Sequence, residues 1–234
     1  MIVLAMETST HLGGVALIQD GKVLAEESSF RQRSHTEIIS PYVEAVLQKA
    51  NLKLNDVDVF AVGQGPGSFT GIRVAANAGK TYAYSFNKPM VTIDSLTLLA
   101  EQARDAKMPV LAIINAYKNM VYTGIFETSG DEVKFIKGPE AIPVRELSKH
   151  VHEKCLVVGD GWEAFHEYFP EELSAKLVRD EKYSDEPHAR TLGMMAHRYA
   201  LKGQTLDWKS FTPLYIRASE AEETKRGILI TPLK

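Results

Sequence analysis

The sequence predicts an α/β protein made of two similar halves, and three observations predict it. Residues 1–104 alternate in the order strand, strand, strand, helix, strand, helix, strand, helix. The next stretch begins again with three strands and a helix. A polar segment that ends in proline, Arg104–Pro109, separates the two stretches. We therefore expect two lobes, an N-terminal one over residues 1–104 and a C-terminal one over residues 105–234.

The composition is that of an ordinary globular chain of 234 residues, 44% hydrophobic and 24% charged. Such a chain can bury a core without disulfides or a structural metal. The net charge of -3 excludes a strong cationic field that would hold nucleic-acid phosphates unaided. Cys155 is the only cysteine, so we expect no disulfide and a cytoplasmic location. No apolar run approaches the roughly 18–20 residues that span a bilayer, and the N-terminus carries no signal-peptide pattern.

Short-range signals predict the start of the first half. Strands are expected over residues 2–6, 14–19 and 22–30, with Asp20-Gly21 as a type I′ hairpin turn. Ser34 and Glu37 match a capping box for a helix whose apolar residues recur at helical spacing to Leu47. Pro41 indicates either a bend in this helix or a later start.

The remaining elements follow in alternation. We expect a strand over 58–62, a helix over 70–85, a strand over 90–93 and a helix to residue 104 that Asp94 or Ser95 caps. In the second half we expect strands over 110–114, 120–127, 132–136 and 156–158, and helices opened by Pro143, over 162–169 and over 189–202.

This order resembles the duplicated actin-like fold of the actin, Hsp70 and sugar kinase superfamily (ASKHA, ribonuclease H-like). The competing prediction is a single doubly wound α/β sheet. The hairpin at Asp20-Gly21 opposes it, because that fold begins with parallel crossovers.

A polar turn follows the first strand, where ligands often bind in α/β sheets. The hydroxyl and backbone amide groups of Thr8, Ser9 and Thr10 are candidates to donate to a phosphate, and Glu7 to hold a metal-bound water. The alternative is a tight turn whose hydroxyls satisfy its own backbone.

The segment from Gly63 to Arg73 is the most informative, because it follows a strand and opens a helix. Four glycines in nine residues allow positive φ and close backbone approach. The segment lacks the lysine of a Walker loop and the spacing of a dinucleotide fingerprint. A ligand loop and a structural turn both remain open. The loop residues concerned are Gly65, Pro66, Gly67, Ser68, Phe69 and Thr70, with Ser68 or Thr70 as the helix cap.

The helix after this loop is rich in small residues, which allow another element to approach closely. They indicate either tight internal packing or a subunit interface. The residues are Gly71, Ala75, Ala76, Ala78, Gly79 and Ala83.

These segments resemble the bacterial TsaB (YeaZ) family, whose members help to make threonylcarbamoyladenosine at position 37 of tRNA. The segment from Gly65 to Arg73 is the most specific mark. Residues 6–10, 34–37 and 213–217 are also similar to the family pattern. The resemblance implies an actin-like fold of two lobes and a non-catalytic role, with no cofactor required by this chain and no metal.

The resemblance also implies the partners. Members pair with the catalytic subunit TsaD, the pair recruits the ATPase TsaE, and TsaC supplies threonylcarbamoyl-adenylate; tRNA is engaged indirectly, and the family forms homodimers alone. Both pairings use the helices from His35 and from Thr70, so the expected interface residues are Ile38, Tyr42, Val46, Gly71, Val74, Ala75, Ala78, Gly79 and Tyr82. ATP or ADP at the interface of the complex is the one nucleotide expected, with Glu7, Thr8, Ser9 and Arg73 as candidates to contact it.

Two departures from the family pattern bear on catalysis. Glu7 stands where many members carry aspartate, and the turn from Asn115 to Lys118 lacks their acidic residue. This turn also has no glycine, so it is a poor second phosphate-binding turn for the alternative function, a stand-alone actin-like ATPase or kinase. No histidine has a second histidine four residues on, the spacing that holds a metal in the catalytic relative. A third possibility is a self-assembling structural protein.

Overall fold

A computed structural model describes residues 1–30, 37–130 and 132–218 of the chain. Over these residues the chain forms two five-stranded mixed sheets. Their strands are connected by six α-helices and by short 3₁₀ turns. The α/β class predicted from the sequence is confirmed.

The first sheet has the strand order β3-β2-β1-β4-β5. The first three strands form an antiparallel meander, and β4 and β5 then add in parallel to β1. The strands are β1 (Ile2–Glu7), β2 (Leu12–Gln19), β3 (Lys22–Phe30), β4 (Val59–Gly63) and β5 (Met90–Ile93).

The second sheet repeats this pattern, with the order β10-β9-β6-β7-β8. Here β6, β7 and β8 form the antiparallel meander, and β9 and β10 add in parallel. The strands are β6 (Val110–Asn115), β7 (Met120–Glu127), β8 (Lys134–Pro143), β9 (Cys155–Val158) and β10 (Leu177–Val178). The repeated order confirms the duplicated architecture of an actin-like fold.

Two compact units contain these sheets, and each spans two segments of the chain. The first unit consists of Met1–Leu98 and Pro187–Leu214, and the second of Leu99–Glu186 with residues 215–218. The sequence predicted one boundary, between residues 104 and 105. The structure differs because the last helix returns to the first sheet.

Helices cover both faces of the first sheet. The helices are α1 (Ile39–Lys49), α2 (Phe69–Phe86), α3 (Ser95–Gln102), α4 (Gly161–Phe165), α5 (Glu171–Ser174) and α6 (Ala189–Leu201). On one face α1 and α2 pack over Leu4 and Phe60, and on the other α6 buries Leu192 and Met195 against Val3. This second burial draws α6 into the first unit, since successive residues of β1 point to opposite faces.

Local signals gave most element boundaries. Asp20 and Gly21 have φ values of 50° and 77°, as a type I′ turn requires. Helix α1 begins at Ile39, so Pro41 lies in its first turn and marks the later start. The predicted capping residue Ser34 lies outside the described residues. Pro143 ends β8 and precedes a 3₁₀ turn, where an α-helix had been predicted.

Within the described ranges, no helix is both long and apolar enough to cross a membrane.

Candidate functional site

The glycine-rich loop ends in a helix cap. The Ser68 hydroxyl accepts a hydrogen bond from the Gly71 amide at 3.2 Å, which satisfies one of the free amides at the start of α2. Of the two predicted caps, Ser68 and Thr70, the structure has Ser68, and the helix begins at Phe69.

Three glycines at four-residue spacing pack this loop against the turn after β1. A Cβ atom on Gly63 would lie 1.8 Å from the Glu7 carboxylate. A Cβ on Gly67 would lie 2.1 Å from the Ser9 carbonyl oxygen, and one on Gly71 would lie 1.9 Å from that of Thr8. Each glycine therefore makes room for the chain's own polar turn. The structural turn, one of the two alternatives left open by the sequence, accounts for these glycines.

The side chains of the polar turn after β1 are buried. Glu7 and Thr8 have no exposed surface, and Ser9 is 1% exposed. The Thr8 hydroxyl donates to the Gly71 carbonyl at 2.7 Å, and a Glu7 carboxylate oxygen accepts from the Ser9 amide at 2.6 Å. The Ser95 hydroxyl lies 2.7 Å from that of Ser9. Internal contacts occupy the Thr8 and Ser9 hydroxyls, the Ser9 amide and one Glu7 carboxylate oxygen in this structure. They do not support the assignment of Glu7, Thr8 and Ser9 to a nucleotide, which stays a prediction.

Arg73 differs from the other nucleotide candidates. It is exposed on α2, and its guanidinium lies 3.9 Å from the centre of the Phe69 ring. It is therefore the one member of that set whose side chain lies at the surface of the unit.

The small residues of α2 form an internal seam. Gly71, Ala75 and Gly79 are buried against the first sheet, and a Cβ on Gly79 would lie 2.3 Å from a methyl group of Val62. Ile38 and Val46 are also buried, at 3% and 0% exposure. We therefore correct the expected interface: these five residues are core residues, and the small side chains serve internal packing.

The other four predicted interface residues lie at the surface. Tyr42 of α1 and Val74, Ala78 and Tyr82 of α2 are half-buried. The Tyr42 hydroxyl donates to the Ser29 hydroxyl at 2.8 Å, and the Tyr82 ring packs 5.7 Å from the Phe60 ring. These contacts hold both tyrosines in place, and the Tyr82 ring lies at the edge of an open groove.

We call this feature the α1–α2 groove. It has a volume of about 360 Å³, and its walls combine apolar side chains with a few polar ones. They are Ser40, Val43, Glu44, Leu47, Gln48, Leu52, Leu54 and Tyr82. Sequence reasoning missed Leu52 and Leu54, although two leucines so soon after a helix end are a signal for a continued apolar surface.

Burial perturbs two titratable groups near strand ends. Burial raises the pKa of the Asp94 carboxyl, although its hydrogen bonds with Thr97 favour the charged form. Asp94 thereby caps α3, as predicted. Burial also raises the pKa of the Cys155 thiol to about 12, so this cysteine is a packing residue and not a nucleophile.

The turn after β6 in the second unit has a left-handed backbone. Tyr117, Lys118 and Asn119 have φ values of 56°, 51° and 59°, and Tyr117 is 61% exposed. The Arg217 guanidinium donates to the Ala116 and Tyr117 carbonyl groups. The Asp160 carboxylate accepts from the Asn115 amide at 2.8 Å and so fixes this turn. Asp160 is the N-cap residue of α4, but its side chain makes no cap hydrogen bond.

No group of three or more histidine, cysteine, aspartate or glutamate side chains in the described residues is arranged to hold a metal ion.

Comparison with known proteins gives consistent results. A family model for TsaD, tRNA N6-adenosine threonylcarbamoyltransferase, matches residues 23–225. The tRNA threonylcarbamoyladenosine biosynthesis protein TsaB of Escherichia coli is 30% identical over 229 residues, which cover 94% of this chain and 96% of that protein. The TsaB of Haemophilus influenzae is 29% identical over 228 residues, which cover 93% and 94%.

Solved structures agree with the sequence relatives. YeaZ from Pseudomonas aeruginosa superimposes with a TM-score of 0.79 at 26% identity, over 92% of this chain and 99% of that one. A second structure from that organism, described as similar to peptidase YEAZ, gives 0.80 at 27% identity over the same shares.

Proposed function

This chain belongs to the TsaB (YeaZ) family and takes part in the synthesis of tRNA threonylcarbamoyladenosine, and from that premise we propose that it is a non-catalytic subunit. In this proposal it pairs with a TsaD-like catalytic subunit in the cytoplasm and stabilises the active arrangement of that subunit. It also dimerises when alone.

The observation that carries the proposal is the α1–α2 groove. Val43 and Leu47 form part of its wall, and the Tyr82 ring lies at its edge. An apolar groove with a fixed aromatic rim is the type of surface that receives helices or side chains of another protein. Val74 and Ala78 extend this surface along α2.

The polar turn after β1 supports a non-catalytic role. A phosphate needs hydrogen-bond donors that face it, and here the Thr8 hydroxyl donates to a backbone carbonyl. The Ser9 amide likewise donates to Glu7. Arg73 is exposed and stays a candidate to contact a nucleotide, but it lies on the side of α2 that faces away from the α1–α2 groove.

One preparation tests the pairing and the activation. The full-length chain is mixed with a TsaD-like subunit, and the mass of the complex is measured by light scattering after gel filtration. The formation of modified tRNA is then measured with and without the chain, in the presence of TsaC- and TsaE-like proteins. We expect a complex that contains both subunits and modification that depends on this chain.

Three outcomes would contradict the proposal. Homodimers that ignore the TsaD-like subunit would indicate a structural protein. Phosphate release from ATP by the chain alone at more than about 1 per second, within the usual range of enzymes, would indicate an ATPase. Modification at the same rate without the chain would remove the activating role.

A further inference from the structure

The side of α2 that faces away from the groove carries cations and an exposed aromatic ring. Arg73, Lys80 and Tyr84 follow one another at i, i+7 and i+11, a spacing that places them on one side of a helix. Trp208 and Lys209 lie beside them in the segment after α6. We call these five residues the cationic aromatic flank.

The Tyr84 and Trp208 rings form the centre of the cationic aromatic flank. Tyr84 is 66% exposed, and its ring centre lies 5.1 Å from that of Trp208 with the ring planes at 67°. The Trp208 segment is fixed to the sheet, because Met90 and Leu206 exchange backbone hydrogen bonds of 2.9 and 2.8 Å. The Tyr84 face is thus held in place at the surface.

The charges around these rings are mainly positive. The Lys209 ammonium lies 5.5 Å from the centre of the Trp208 ring, and the Lys80 ammonium lies 5.5 Å from that of Phe211. Helix α2 contains no aspartate or glutamate. Asp207 is the nearby acid in this segment, and its carboxylate accepts from the Lys209 amide at 2.8 Å. In a chain with a net charge of -3, this is a local concentration of cations.

We propose that the cationic aromatic flank binds RNA directly, with an unpaired base stacked on Tyr84 and neighbouring phosphates near Lys80 and Lys209. Every base has a face that stacks on an aromatic ring, and lysine neutralises phosphate, so this combination fits a single-stranded segment. The inference rests on the proposed function for the choice of RNA as the polyanion. The flank and the α1–α2 groove lie on different sides of α2, so both can be occupied at once.

The test uses the full-length chain and a fluorescein-labelled RNA hairpin with an unpaired, adenosine-containing loop, followed by fluorescence anisotropy at low salt. We expect Tyr84→Leu to weaken binding about tenfold, the loss of one stacked base, while Tyr84→Phe keeps it within about twofold. Lys80→Gln and Lys209→Gln should each reduce the slope of log affinity against log salt by about 0.7. Tyr168→Leu and Lys154→Gln, exposed residues of the second unit, are the matched controls and should change neither quantity.

Competing ligands test whether binding needs an unpaired base and whether the bound polyanion is RNA. A fully paired RNA duplex should bind more weakly than the hairpin and show no effect of Tyr84→Leu. ATP that displaces the hairpin at the same nucleotide concentration would show a mononucleotide site and overturn the proposal. A polyglutamate peptide that binds as tightly as the hairpin would show a surface for acidic proteins and overturn it as well. Equal hairpin affinities for wild type and Tyr84→Leu would also overturn the proposal.

The RNA-binding proposal and the pairing proposal can be refuted separately. Lys80→Gln and Lys209→Gln should leave the mass of the complex with a TsaD-like subunit unchanged. If these variants lose the complex while hairpin binding by the chain alone is unaffected, the flank belongs to the protein interface and the RNA proposal is wrong.

Discussion

The Thr8 carbonyl oxygen lies in the space where a side chain on Gly71 would be, 1.9 Å from the Cβ position. The contact is reciprocal, since the Thr8 hydroxyl donates to the Gly71 carbonyl at 2.7 Å. This pair fastens the start of α2 to the end of β1. It explains why the glycine-rich loop is a structural turn that sets the position of the helix.

Gly71→Ala should destabilise the protein. Alanine normally stabilises a helix interior by up to about 1 kcal/mol relative to glycine. Here its methyl group would overlap a backbone oxygen, so we expect a net loss of about 1–3 kcal/mol in the free energy of unfolding, measured in urea. Asn77→Ala, at an exposed position of α2, is the control and should be neutral or slightly stabilising. Equal stability of the two variants would contradict the packing described for Gly71.

The stability effects of substitutions at Gly79 and Val62 should be coupled. Gly79→Ala places a methyl group 2.3 Å from Val62, which should cost about 1–3 kcal/mol of stability. Val62→Ala removes the opposing methyl groups, so the double variant should be more stable than the sum of the two single effects predicts. A double-mutant cycle in urea measures this coupling energy, and strict additivity would show that the two residues do not press on each other.

Asp94 should make stability depend on pH. Its pKa in the folded protein is raised above the ordinary value of 3.8, mainly by burial, so the folded state holds this proton more tightly than the unfolded state. The contribution of Asp94 to the free energy of unfolding therefore falls as pH rises from 3.8 through the raised pKa. Asp94→Asn keeps a cap acceptor and does not titrate, so its stability relative to wild type should increase with pH across this window. Urea titrations of both proteins from about pH 3 to 7 measure the difference, and parallel curves would refute the assignment.

Cys155 should resist alkylation in the folded protein. The side chain is buried at 2% exposure, and its thiol pKa of about 12 leaves almost no thiolate at neutral pH. Mass spectrometry after treatment with iodoacetamide should show labelling only in denaturant. Rapid labelling of the native protein would contradict the burial of β9.

Much of the fold follows from local signals in the sequence. The Asp20-Gly21 turn and the caps of α2 and α3 depend on residues within three positions, so the sequence alone predicts the turn and narrows each cap to two residues. The structure selects Ser68 over Thr70 and Asp94 over Ser95. The short strand β10 and helix α5 were missed, because neither has enough residues to show a hydrophobic period.

Long-range packing was harder to predict. The sequence does not show that α6 returns to the first sheet, because the spacing of its apolar residues predicts a buried face and not the sheet on which that face packs. The small residues of α2 were equally ambiguous: Ala75 and Ala78 are the same residue type, yet only Ala75 is fully buried. The pairing of Tyr84 with Trp208 joins segments far apart in the chain, and no local pattern indicates it.

The most direct test of the pairing proposal is the mass of the complex formed by Ala78→Arg. Ala78 is half-buried, so an arginine there can extend its charged end to solvent in the free protein. Ala75 is unsuitable for this purpose, because a charge at that buried site would disrupt the core. Ala175→Arg, at an exposed position of the second unit, is the matched control. The proposal predicts that Ala78→Arg remains folded and stays separate from a TsaD-like subunit in light scattering, while Ala175→Arg forms the complex; a complex of normal mass and affinity with Ala78→Arg would contradict it.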